Sequence, residues 1–113
     1  MTPKQIALAA GKLAIEKNGF EVTIIDLRRL TDVASYFVIC SGSVDVHVKA
    51  IADNIVEGLK KKNVRVWHVE GYKNLQWVLL DYVNVVVHIF QPEQRGYYSL
   101  ENLWGDAPKE YLD

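Results

Sequence analysis

A single cysteine, Cys40, stands in the whole chain, so no intramolecular disulfide can brace it and no Cys-to-Cys spacing offers a zinc motif. Cys40 closes the apolar run Tyr36-Phe37-Val38-Ile39-Cys40, where a small buried hydrophobe is its expected role. Excess charge is also lacking. The formal net charge of -1 argues against binding nucleic acid by bulk electrostatics, which requires clustered Lys and Arg to neutralise several phosphates. Lys60, Lys61, Lys62, Arg65 and Lys73 make a local basic stretch, read as the solvated end of a helix where cations suit the macrodipole. No apolar run approaches the roughly 18 residues of a membrane helix, and the amino terminus has neither a signal-peptide h-region nor an Arg-rich transit pattern. A cytosolic protein without membrane contact is expected. No repeat, low-complexity tract or linker divides the 113 residues, half of them hydrophobic, so residues 1–113 are expected to form one domain.

Catalytic and metal-binding patterns are scarce too. His47, His68 and His88 lie on a helix and two strands at separations that match no metal spacing. Cys40 could serve as a nucleophile only with a base such as His47 beside it in an activating environment. No catalytic residue, cofactor site or metal site is therefore assigned.

The periodic segments are clear. Thr2-Pro3-Lys4-Gln5 opens a helix with a capping box and proline in the first turn. Ile6, Ala9, Ala10, Leu13 and Ala14 form its apolar stripe, and Gly19 is placed where a left-handed residue would close it. Glu21 to Asp26 reads as a strand, and Ser35 to Ser41 as a more buried one. A second helix runs from about Asp45 to Lys62, with Val48, Ile51, Ala52, Ile55 and Leu59 at helical spacing. Val64 to Val69 returns as a strand, which makes a βαβ unit with its two strands parallel. Leu75 to Asp81 and Asn84 to Phe90 form a hairpin around Tyr82-Val83-Asn84. Ser99 caps a short helix, Leu100 to Leu103, and residues 105–113 are expected to be a loose tail. The fold class is α/β (α+β), a mixed sheet of roughly five strands with helices packed on it.

The aromatic-rich stretch from Glu70 to Trp104 carries almost no catalytic side chains and looks made for docking. Over about Leu13 to Trp104 the chain resembles the ribosomal silencing factor family, RsfS in bacteria and Iojap in plants. The matching pieces are Tyr36-Phe37-Val38-Ile39, Ser41-Gly42-Ser43, His47-Val48, Ala50-Ile51-Ala52-Asp53, Glu70-Gly71, Trp77-Val78-Leu79-Leu80-Asp81, Val85-Val86-Val87-His88-Ile89-Phe90 and Tyr98-Ser99-Leu100-Glu101-Asn102-Leu103-Trp104. Their order and spacing carry the resemblance. It implies a non-enzymatic translation regulator that binds the large ribosomal subunit through its protein fourteen. Bound there, it would block association with the small subunit when nutrients are short. It also implies a nucleotidyltransferase-like core; separately, no cofactor and no direct sequence-specific nucleic-acid binding are expected from the residues. Monomer and homodimer are both compatible with it.

That fold relationship raises one rival, a nucleotidyl transfer enzyme using the Gly42-Ser43 turn between strand and helix, where backbone amides can hold phosphate. Two-metal phosphoryl chemistry needs converging carboxylates. Asp45, Asp53 and Glu57 follow on the helix, and Asp81 stands alone, so a tight turn and helix cap is preferred.

From the family motif, Glu70, Gly71, Trp77, Leu79 and Tyr82 are carried over as partner-binding residues, with His88 and Tyr98 beside them. Alternation places Trp77, Leu79 and Asp81 on one side of their strand and Gln76, Val78, Leu80 and Tyr82 on the other. Trp77 is either a core plug or an interface anchor. Glu70-Gly71 read by itself is a turn glycine with an exposed acid, and His88 a structural hydrogen-bonder. Val44 is a poor helix cap, which leaves capping to Asp45 or Ser43. In the hairpin turn Asn84 is the residue expected to enter the left-handed region, since β-branched Val83 resists it.

Overall fold

The computed structural model describes residues 1–113. Helix α1 spans Pro3–Glu16, and its capping box is formed: Thr2 Oγ1 accepts from Gln5 N–H at 3.1 Å while Gln5 Oε1 accepts from Thr2 N–H at 2.9 Å. Asn18, not Gly19, takes the left-handed conformation after it, with φ 62°. Asn enters that region because its short polar side chain tolerates it. Gly19 is needed for space, since a Cβ there would stand 2.9 Å from the Ala14 carbonyl oxygen. The remaining elements are β1 (Phe20–Asp26), β2 (Tyr36–Ser41), α2 (Asp45–Lys60), β3 (His68–Glu70), β4 (Trp77–Asp81), β5 (Val85–Phe90), α3 (Pro92–Tyr98), α4 (Leu100–Leu103) and β6 (Lys109–Tyr111).

The sheet has six strands, in the order β3-β4-β5-β2-β1-β6, one more than the sequence suggests. The extra strand comes from the tail expected to be loose. β6 pairs antiparallel with β1, Tyr111 opposite Thr23. It satisfies the outer edge of β1, whose backbone groups would otherwise lack partners. Val22 N–H donates to Asp113 Oδ1 at 2.7 Å, and Leu112 lies against Gly11 of α1. Lys109 Nζ donates to the carbonyls of Trp104, Gly105 and Ala107, where a cation also favours the helix end.

β2 and β5 form the parallel centre of the sheet, Tyr36 opposite Val85 through Ser41 opposite Phe90. Every residue of both strands is buried, as continuous apolar runs require when both faces are covered. The βαβ expectation holds in strand direction only: β3 covers His68–Glu70, two residues of the expected Val64 to Val69 strand plus Glu70, and runs parallel to β2, but β4 and β5 stand between them. The expected β4–β5 hairpin is formed.

The two faces are covered unequally. α1 and α2 bury one face, where Ala7, Ala10 and Ala14 meet Val48, Ile51, Ile55 and Leu59 over Val22, Val38, Cys40, Val78, Leu80 and Val87. The second face holds Ile25, Leu27, Phe37, Ile39, Val86 and Phe90, covered by Leu100, Trp104 and Ala107 from α4 and the segment after it. Helix α3 has no counterpart among the elements expected from periodicity. Its residue Arg95 is 7 % exposed and fastens this cover. The guanidinium donates to Glu21 O at 2.7 Å, Ser41 Oγ at 2.9 Å, Thr23 Oγ1 at 3.4 Å and Glu101 Oε2 at 3.2 Å. The Glu21 carbonyl is reachable because a bulge between Phe20 and Thr23 takes it out of register.

Candidate functional site

Cross-strand register assembles the site. His68 faces Asp81 and Glu70 faces Leu79 across β3 and β4, while Leu79 faces His88 and Trp77 faces Phe90 across β4 and β5. Directly opposed residues share a face. His68, Glu70, Trp77, Leu79, Asp81 and His88 therefore lie together on the second face, away from α1 and α2. The cover made by α3 and α4 reaches only one end of it, so Trp77 and Leu79 are half-buried while Glu70 and His68 are exposed.

Trp77 organises the patch. Its ring stacks on Phe90 at 4.8 Å and meets Tyr98 of α3 at 4.7 Å. Tyr98 is 49 % exposed and Tyr97, packed edge-on at 5.1 Å, is 82 % exposed. The indole Nε1–H donates to His88 Nδ1 at 3.1 Å. His88 packs edge-on to Phe37 at 4.6 Å, and its Nε2 is buried without a protein partner. Burial pushes the His88 imidazole down to about 4, because the charged ring cannot be solvated there.

Gly71 supports the patch from behind. It adopts φ +93°, and a Cβ at this position would run into the Trp77 carbonyl. Only glycine allows that approach. Tyr82 stands apart from the other residues carried over from the family motif. It lies on the helix side, 7 % exposed, its hydroxyl without a partner and pushed up to about 12 by burial.

At the hairpin tip the left-handed residue is Val83, φ 75°, rather than Asn84. Asn84 N–H donates to Tyr82 O at 3.0 Å, closing a γ-turn around Val83, and Val83 N–H donates to Asp81 Oδ1 at 2.7 Å. These two bonds hold the strained residue in place.

The Gly42-Ser43 turn is occupied by the protein itself. Neither Asp45 nor Ser43 caps α2 from the position expected. Instead, His47 reaches back, its Nδ1 accepting from Ser43 N–H at 2.8 Å while Nε2 donates to the Lys17 carbonyl at 2.7 Å. Asp45 Oδ1 accepts from Gln91 Nε2 at 2.6 Å. Cys40 is buried and desolvation pushes its thiol up to about 12. No three His, Cys, Asp or Glu side chains gather in a way that could hold a metal ion, and no helix is long and apolar enough to cross a membrane.

Comparison with known proteins bears on this arrangement. The family described as "Ribosomal silencing factor during starvation" matches residues 1–113. The chain is 39 % identical over 113 residues to the ribosomal silencing factor RsfS of Bacillus subtilis, covering all of this chain and 96 % of that protein. It is 33 % identical over 113 residues to the RsfS of Halalkalibacterium halodurans, covering 97 % of it. A crystal structure of a protein from Chromobacterium violaceum superposes with a TM-score of 0.90 at 29 % identity, over 100 % of this chain and 94 % of that one.

Proposed function

The chain belongs to the ribosomal silencing factor family, and from that premise we propose that it binds the large ribosomal subunit through protein fourteen and prevents the small subunit from joining. Translation is thereby lowered when nutrients are short, and the protein acts in the cytoplasm without catalysis. The docking face in this reading is the open part of the sheet: Trp77, Leu79 and Tyr98 as the apolar centre and Glu70 at the rim. His88 and Gly71 hold Trp77 in place from within.

The observation that carries the reading is the half-buried Trp77, packed on Phe90 and Tyr98 beside Leu79 with part of its ring still open. A Trp preset by stacking and a hydrogen bond loses little entropy on docking, which is how interface anchors gain their effect. The rival, nucleotidyl transfer at Gly42-Ser43, gains no support from the geometry. The Ser43 amide is engaged by His47, so it is not free to cradle a phosphate.

Sedimentation tests the proposal. Purified protein should comigrate with isolated large subunits, and a molar excess should reduce formation of joined ribosomes when small subunits are added. Equal joining with and without the protein would refute it.

A further inference from the structure

The end of α2 and the segment joining it to β3, Lys60-Lys61-Lys62-Asn63-Val64-Arg65-Val66-Trp67, take no part in that docking face. Four of the chain's 13 Lys and Arg fall within its first six residues. Lys60, Lys61, Lys62 and Arg65 are all exposed, and none enters an ion pair. No acid occurs between Gly58 and Val69; Glu57 on α2 and Glu70 on β3 are the nearest in sequence. Lys60 to Lys62 complement the carboxyl end of α2, as cations at a helix end do. That does not account for Arg65 or Trp67.

Trp67 is 72 % exposed, unusual for a residue type that is highly buried on average. It is nevertheless held. Val64 N–H donates to Leu59 O at 2.9 Å and Trp67 N–H donates to Asp81 O at 2.8 Å. Val64 and Val66 pack against the helix-side core, while Arg65 and Trp67 alternate with them and are exposed. Alternation in an extended segment puts Arg65 and Trp67 on one outward side. An exposed indole on an anchored backbone, two residues from an exposed guanidinium and just after three ammonium groups outside any ion pair, is a combination that binds a single strand of nucleic acid: cations along the phosphates, an aromatic ring under a base.

We propose that Lys60 to Trp67 is an RNA-contacting strip, with Lys60, Lys61, Lys62 and Arg65 on the phosphate backbone and Trp67 stacked on an unpaired base. It rests on the silencing reading only in expecting this RNA to belong to the large subunit. An acidic protein surface would use the same cations and could also take an exposed indole as an anchor; the acid-free run of cations leading to the ring favours RNA, where phosphates and bases are met together, and equal binding to polyglutamate is the outcome that would favour the protein. The chain's net charge near zero keeps the contact weak and local, so it adds to docking at the sheet face and does not replace it.

Fluorescence anisotropy of a labelled 12-nucleotide oligouridylate against the full chain tests this. Affinity should fall with salt, the logarithmic slope approaching about -2.8 if all four cations contact phosphates, at about -0.7 each for a single strand. Trp67→Ala should weaken binding at least about fivefold at an unchanged salt slope, because the stacking of one base is removed. The triple reversal Lys60→Glu, Lys61→Glu, Lys62→Glu should flatten the slope. All these side chains are exposed, and unchanged urea midpoints will show that the variants stay folded. A flat salt response, binding indifferent to these substitutions, or equal binding to polyglutamate would overturn the strip. Large-subunit sedimentation separates the two readings. Subunit binding without oligonucleotide binding refutes the strip alone, whereas oligonucleotide binding without subunit binding refutes the silencing reading alone.

Discussion

The indole Nε1–H of Trp77 on β4 donates to Nδ1 of His88 on β5 across 3.1 Å, so the half-buried ring at the centre of the proposed docking face is held by a histidine that is 4 % exposed. Nδ1 can accept only while it carries no proton. The neutral ring therefore keeps its proton on Nε2, and protonating Nδ1 would break the bond.

That linkage predicts a pH-dependent stability. Burial lowers the His88 pKa from 6.5 to about 4, so between these values the unfolded chain binds more protons than the folded one. Stability then rises with pH through this window. The contribution is fully present above about 6.5 and is lost as pH falls toward 4, by up to about 3 kcal/mol. Urea midpoints from pH 4.5 to 7.5 should show the slope, and His88→Gln should remove most of it. An equal slope in the variant would assign the effect elsewhere.

Trp77→Phe and Trp77→Ala should separate the hydrogen bond from the stack. The Phe variant keeps a ring between Phe90 and Tyr98 but loses about 1 kcal/mol of folding stability with the bond. The Ala variant should cost about 2 kcal/mol or more of large-subunit affinity, as truncated anchors do. Its folding cost should fall below the roughly 3 to 5 kcal/mol typical of a fully buried Trp, because the ring is only half-buried. Both quantities can be read from denaturation midpoints and subunit binding. Normal subunit binding by both, after correction for unfolded protein, would move docking to the helical faces.

Arg95→Ala should strip the cover from the second face. The substitution leaves the Glu21 carbonyl, Ser41 Oγ and Glu101 carboxylate without their donor, and breaking a buried, multiply bonded ion pair costs about 3 to 5 kcal/mol. Hydrogen exchange should accelerate first in α3 and α4. Because Tyr98 ends α3 against Trp77, subunit affinity should fall as well. Unaltered exchange in these helices would show that apolar packing alone holds them.

Val83→Gly should stabilise the protein, by about 1 kcal/mol. Val83 is a β-branched residue at φ 75° with 58 % of its surface exposed, so relief of left-handed strain outweighs the small amount of apolar surface that its side chain buries. Thermal melts of the two proteins decide it. A lower melting temperature in the variant would mean that the unfolded-state entropy of glycine dominates.

Periodicity and capping chemistry are local properties, and what depends on them was legible from residues alone. Thr2 and Gln5 announce α1, the Val48-Ile51-Ile55-Leu59 spacing announces α2, and alternation along Trp77 to Tyr82 already separates Trp77 and Leu79 from Tyr82. Asn18 and Val83 took the left-handed positions that composition assigned to Gly19 and Asn84, because close packing at Ala14 and the Asp81 side chain decided those turns.

By itself, then, the sequence determined the two long helices and the central strands, which residues share a face, and through its ordered motifs the family, but neither α3 nor β6. Tertiary structure alone decided that β5 inserts beside β2 while β3 goes to the edge, and that residues 109–111 complete the sheet. It also decided that α1 and α2 cover one face while α3 and α4 cover only part of the other, which leaves Trp77 half-buried and buries Tyr82. The reason is physical: hydrophobic periodicity states that a face must be buried, but strand pairing and coverage depend on which distant edges and faces remain unsatisfied once the chain has closed on itself.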